Sequence, residues 1–251
     1  MRVRWFFFAQ ALGRCLVDNA YMTDTNAYSH TNYRQFDLIA FDWDGTLYDS
    51  TAAITHAIQA SVVDLGYAQP SKEQASYVIG LGLMQALAYA APDVPQERYA
   101  ELGQRYRHHF SKALAGLNLF DGVLPMLHAL KATGVKLAVA TGKSRSGLTE
   151  VLQTMDLRGV FDDSRTADET SGKPDPLMLH ELMSSLAVAP ERVLMVGDTS
   201  HDLRMANNAG CAGLGVSFGA HDQASLDACK PLAVVHSVGE MHQWLLARLS
   251  G

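Results

Sequence analysis

The segment Phe36-Asp-Leu-Ile-Ala-Phe-Asp42 constrains this chain more than any other, because a short apolar run of strand formers stops abruptly on a carboxylate. Such a run is too short for a buried helix and reads as a strand covered on both faces. Four later segments share its size and apolar character: 135–141, a weaker one at 161–167, 193–197 and 213–218. Between most of them lie stretches of helical period, at 146–155, 175–186 and 201–209. Strand alternating with helix predicts a doubly wound α/β domain, a parallel sheet with helices on both faces. Residues 232–235 and 240–249 add a sixth strand and a closing helix. In such sheets ligands bind beyond the carboxyl ends of the strands, where the strand order reverses, so residues just after each strand carry most of the functional information.

One interval breaks the rhythm. Between Tyr48 and Gly122 there is no convincing strand, and the text predicts helices over 50–65, 71–78, 83–90 and 97–114. Ser71-Lys-Glu-Gln74 has the spacing of a capping box, Pro70 closes the preceding turn, and Pro92 and Pro95 separate the last two helices. The expected organisation is a catalytic α/β core over 36–49 and 120–251, an inserted α-helical cap over 50–119, and an extension over 1–35.

Composition narrows the partners. The 251 residues are 48% hydrophobic and carry 20 basic against 26 acidic side chains, a formal net charge of −6. That balance offers no cationic face for nucleic acid. An anionic substrate must instead be held by local positive charge, by a metal or by backbone N–H groups. Three widely spaced cysteines, Cys15, Cys211 and Cys229, suggest neither a disulfide frame nor a zinc site and fit a reducing cytoplasm.

Four features carry chemistry. Asp42-Trp43-Asp44-Gly45-Thr46-Leu47 sets two carboxylates at a strand end, and alternation would turn both to one side. Carboxylates so close need a cation or a proton between them, although Asp44 capping a turn is the plainer alternative. Thr141-Gly142-Lys143-Ser144 offers a hydroxyl and free N–H groups for phosphate oxygens. It is not a nucleotide-binding P-loop, because Leu137 stands where the opening glycine belongs, and a plain turn with an exposed lysine is its alternative. Gly172-Lys173-Pro174-Asp175-Pro176 holds a lysine between stiffened residues, able to neutralise a phosphate and a carboxylate. Gly197-Asp198-Thr199-Ser200-His201-Asp202 places two carboxylates around a strand-to-helix turn, where Asp202 also suits a helix's first turn.

These four features, in this order and at strand ends, resemble the haloacid dehalogenase superfamily over residues 36 to about 220. The position of the insert is similar to the subgroup with its cap between the first and second motifs, and the wording is most similar to phosphoglycolate-phosphatase-like members. The resemblance implies a Mg²⁺-dependent phosphatase acting on a small soluble phosphate monoester. Asp42 would be the nucleophile and Asp44 the acid–base; Mg²⁺ would be held by Asp42, the Asp44 carbonyl and Asp198, with Asp202 in support. Thr46, Thr141, Gly142 and Lys173 would contact the phosphoryl group, and Thr141 and Lys173 would share in catalysis. An acid at position 44 disfavours carbon–halogen and carbon–phosphorus cleavage, which have no leaving group needing it. A phosphosugar mutase is the alternative enzyme, and a non-catalytic binding module the alternative of another class. Neither a membrane nor a nucleic acid is expected as partner, and a monomer or weak dimer suffices.

Several residues have plainer readings. Met178, Met183, Met195 and Met205 fit core packing, His108 and His109 a cap helix face, and His201 has no partner at metal-ligand spacing. Gly80-Leu-Gly82-Leu83 is either a substrate-facing cap turn or a helix break. Residues 5–8 are apolar but too few for a membrane span or a secretory signal. The stretch 23–35 is polar and unpatterned, and the natural product is expected to start at Met22. Mass spectrometry of the protein from its native locus should find no peptide from residues 1–21; finding one contradicts the expectation.

Overall fold

The computed structural model describes residues 34–155 and 157–249. The expected start at Met22 lies outside them. Six strands form one sheet: β1 (Leu38–Phe41), β2 (Lys136–Thr141), β3 (Asp163–Thr166), β4 (Val193–Gly197), β5 (Ala212–Val216) and β6 (Ala233–Val235). All pairs are parallel and the order is β3-β2-β1-β4-β5-β6, a doubly wound α/β fold. The chain leaves β1 towards β2 and β3, then crosses back to β4, so the order reverses beside β1. That is where such sheets open a crevice.

β1 is buried on both faces, which is why it reads as a continuous apolar run. Ile39 and Phe41 pack into one layer with Met126, Leu127 and Leu130 of α5 (Val123–Ala132), Leu148 of α6 (Arg145–Thr154), and Met241 and Leu245 of α10 (Val238–Leu249). Leu38 and Ala40 face the other layer, against Met178, Leu179 and Leu182 of α7 (Leu177–Leu186) and Met205 of α8 (Ser200–Asn208). The four methionines expected in the core all belong to this second layer. α5 and the short α9 (Gln223–Asp227) are additions to the elements legible in the sequence.

The insert is helical: α1 (Thr51–Asp64), α2 (Lys72–Tyr77), α3 (Leu83–Ala90) and α4 (Tyr99–Ala113). It has its own apolar centre, which includes Ile54, Ile58, Val62, Leu87 and Leu102. The capping box of α2 is made in full: Ser71 Oγ accepts from Gln74 N at 3.1 Å, and Ser71 N donates to Gln74 Oε1 at 2.9 Å. The segments leading into and out of the insert are tied together. Asp49 N donates to Asn118 O at 3.0 Å and Phe120 N to Leu47 O at 3.0 Å. Two paired linkers confine the cap's approach to one direction over the ends of β1 and β2. Among the described residues no helix is long and apolar enough to cross a membrane.

Candidate active site

Three neighbouring strand ends build the centre. Phe41 pairs with Val139 of β2 and Val196 of β4, so Asp42, Thr141 and Asp198 leave the sheet at nearly one level. Asp42 N donates to Val196 O at 2.9 Å, which extends the ladder one residue and fixes the nucleophile candidate's backbone. Gly45 makes the turn that follows. Its φ is +88°, and a Cβ there would fall 2.2 Å from Asp198 Oδ2, so conformation and space both require glycine.

Lys173 reaches this centre from the loop after β3 and is fully buried. Its Nζ lies 2.6 Å from Asp42 Oδ1 and 2.7 Å from Asp202 Oδ1. Both contacts are ion-pair distances, and Asp42 Oδ2 has no hydrogen-bond partner. Asp198 is better satisfied, accepting from Thr46 Oγ1 at 2.8 Å and Ala220 N at 2.7 Å. Asp202 Oδ2 accepts from Thr199 Oγ1 at 2.6 Å and Thr199 N at 3.1 Å. Asp202 therefore caps α8, as one of its two sequence readings has it, and also faces Lys173.

The electrostatics follow from burial. Desolvation pushes the Asp42 carboxyl well above its ordinary range; Lys173 opposes this, and the charges of Asp202 and Asp198 add to it. Asp198 is raised to about 7 by burial and then by Asp202, against the bonds from Ala220 and Thr46. Burial works against the Lys173 ammonium, yet the two carboxylates prevail and raise it above the ordinary amine range. Oxygens of Asp42, Asp198 and Asp202 lie within 4.8 Å of one another. With all three ionised, the carboxylates outnumber the one ammonium by two negative charges, which a divalent cation would neutralise. An all-oxygen donor set with the unpartnered Asp42 Oδ2 among it fits a hard divalent ion.

Asp44 is placed apart. Its two oxygens both accept from Lys143 Nζ at 3.0 Å, and Oδ1 also accepts from Ser50 Oγ at 2.6 Å. The two carboxylates at the end of β1 thus do not share one cation; each has its own lysine. Lys143 N donates to Thr141 Oγ1 at 3.2 Å, which leaves the Thr141 hydroxyl proton uncommitted.

A family model for haloacid dehalogenase-like hydrolases matches residues 39–216, which includes Asp42, Asp44, Thr141, Lys173, Asp198 and Asp202. The chain belongs to this family. It is 35% identical over 210 residues to the "Probable phosphatase IndB" of Dickeya dadantii, covering 81% of this chain and 91% of that one. It is 31% identical over 214 residues to a phosphoglycolate phosphatase of Vibrio parahaemolyticus, covering 81% and 93%. Among solved structures, one described as a predicted phosphoglycolate phosphatase from Haemophilus somnus superposes with a TM-score of 0.74 at 25% identity, covering 84% and 98%.

In this haloacid dehalogenase-like hydrolase the cap lies directly on the centre. A Cβ on Gly142 would meet Leu81 O at 2.5 Å and Gly80 O at 2.6 Å, so Gly142 is the seat of the cap turn. A Cβ on Gly80 (φ +91°) would come 3.8 Å from Asp42 Oδ2. The Gly80–Leu83 turn therefore faces the site and is not merely a helix break. Beside it, Tyr77 O accepts from His201 Nε2 at 2.8 Å and from His221 Nε2 at 2.9 Å. His221 Nδ1 accepts from Ser200 N at 3.0 Å, which leaves the proton on Nε2. Burial lowers both imidazoles' pKa values and favours this neutral form.

Two residues stand differently from the sequence reading. The Thr46 hydroxyl is engaged by Asp198 rather than free for substrate. Lys143, read as an exposed turn lysine or a phosphate-loop neighbour, is the partner of Asp44, its side chain 10% exposed and its ammonium 5.1 Å from the Phe110 ring centroid. Its position in a strand-end loop was the only signal available. His109 lies on the cap surface, 2.8 Å from Asp64, as its helix-face reading implies.

A cation on the carboxylate triad should stabilise the fold. Millimolar Mg²⁺ or Mn²⁺ added to chelator-treated protein should raise Tm by about 5 °C or more, read by calorimetry. The shift should be larger at pH 8 than at pH 6, because below about 7 the cation must displace the proton that Asp198 holds. Asp198→Asn should remove most of it. An equal shift in that variant, or none in the parent, contradicts the assignment.

Proposed function

We propose that this hydrolase is a Mg²⁺-dependent phosphatase that cleaves a small phosphate monoester through an aspartyl-phosphate on Asp42. The observation that carries the reading is the buried Asp42 held against Lys173, with Asp198 and Asp202 beside it at adjoining strand ends. Relatives named as phosphatases favour transfer to water over transfer to a second hydroxyl.

An oxygen of Asp42 attacks phosphorus, and the bond to the alcohol breaks as Asp44 gives the departing oxygen a proton. Asp44 then takes a proton from a water that attacks the same phosphorus, freeing phosphate and restoring the Asp42 carboxylate. The Thr141 hydroxyl and the Gly142 N–H hold the phosphoryl oxygens, and Lys173 balances the charge on Asp42 in both halves of the cycle. Asp42, Asp198 and the Asp44 carbonyl, with Asp202 in support, would hold Mg²⁺, which would supply charge neutralisation for the phosphoryl group. Thr46 acts on substrate only through Asp198. The Lys143 ammonium lies on both Asp44 oxygens, so the leaving oxygen must take its place on one of them. The unpaired Cys211 and Cys229, both buried, fit a cytoplasmic setting. 2-Phosphoglycolate, the ester behind several relatives' names, is the reference against which other substrates are measured.

Phosphate release from a panel of monoesters should require Mg²⁺ and vanish in Asp42→Asn. Asp44→Asn should slow release by about 10²–10⁴, more with poor leaving groups. Turnover near the parental rate in Asp42→Asn contradicts the nucleophile, and hexose 6-phosphate formed from hexose 1-phosphate without free phosphate contradicts hydrolysis.

A further inference from the structure

The cap is seated in this structure, yet a cavity of about 800 Å³ remains between it and the core. It is not the gap under a raised lid. The Gly80–Leu81 backbone rests on Gly142, Tyr77 O is bonded by two core histidines, and Lys143 of the core reaches the Phe110 ring of the cap. Lifting the cap to admit a phosphate can only enlarge the chamber.

Asp44 is one of its walls. Because Asp44 faces the departing oxygen, whatever that oxygen carries extends into this space. The glycolate portion of 2-phosphoglycolate has about five heavy atoms, which at the volume water takes in the liquid fill about 150 Å³. The greater part of the chamber would stay wet. Its wall combines apolar side chains, Ile54, Ile58, Met84, Tyr106, Phe110 and Leu114, with the charged Arg107, Lys143, Glu150 and Asp168. Tyr106 and Phe110, one turn apart on α4, lie nearly parallel, 6° between planes and 5.8 Å between centroids. Chambers of this size with apolar, aromatic walls and a few polar groups at one end are suited to ligands with a sizeable apolar body.

We infer that the substrate is a phosphate monoester whose alcohol carries a planar, apolar body larger than a two-carbon acid, lodged against Tyr106 and Phe110. The inference rests on the phosphatase reading and gives it a substrate class. The alcohol leaves with one proton, and the released phosphate keeps the oxygen of the attacking water.

The test compares methyl, benzyl and 2-naphthylmethyl phosphate with 2-phosphoglycolate on the full chain with Mg²⁺, because the leaving alcohols differ little in acidity and mainly in size. kcat/KM should rise along the series, with naphthylmethyl phosphate exceeding both methyl phosphate and 2-phosphoglycolate by at least about tenfold. In Phe110→Ala the ratio of naphthylmethyl to methyl phosphate should fall at least about fivefold. The ester series uses the unaltered protein, so a variant that fails to fold leaves the test intact. Active enzyme with 2-phosphoglycolate or methyl phosphate as its best ester overturns the inference and spares the phosphatase reading. No turnover of any ester overturns both.

Discussion

The buried ammonium of Lys173, between Asp42 and Asp202, is the interaction on which the rest of the centre depends. A lysine with no exposed surface is costly unless paired, and carboxylates buried beside it are costly for the same reason. Each makes the other tolerable. The sheet supplies the geometry: three parallel strands end at one level, and the loop after β3 brings the lysine across them. The surplus of negative charge left after that pairing is what a divalent cation would neutralise in the proposed phosphatase.

A second lysine keeps the two carboxylates of the first motif separate. Asp42 and Asp44 are one residue apart, but Trp43 between them is buried in the apolar layer, and Asp44 turns to Lys143 and Ser50. In the proposed reaction, attack on phosphorus and handling of the alcohol's proton therefore fall in different pockets. One lies sealed beneath Gly80; the other opens on the apolar chamber under the cap. The cap touches both, so its seating on Gly142 and its hold on His201 and His221 bear on catalysis as well as on specificity.

Much of this was legible beforehand because it is local. The apolar runs before Asp42, Thr141 and Asp198 mark strand ends, the helical insert shows as the one interval without strands, and the Ser71–Gln74 box announces its helix. That Asp42, Lys173, Asp198 and Asp202 belong to strand-end loops could be read from the motifs. Contacts made across distance could not. Lys143 and Asp44 are 99 residues apart and meet only through the β1–β2 register. His201 and His221 converge on a cap carbonyl 124 and 144 residues away. Thr46 sat in the right motif, but its hydroxyl goes to Asp198, a preference set by the glycine turn that brings the two within 2.8 Å.

The central claim is that Asp42 becomes phosphorylated. The direct measurement is to quench the enzyme with substrate and Mg²⁺ within the first turnover, treat it with hydroxylamine, and map the modified residue by mass spectrometry. The account predicts a hydroxamate on Asp42 alone, absent without substrate. A hydroxamate on Asp44, Asp198 or Asp202, or catalytic turnover with no acyl-phosphate at any carboxylate, would contradict it.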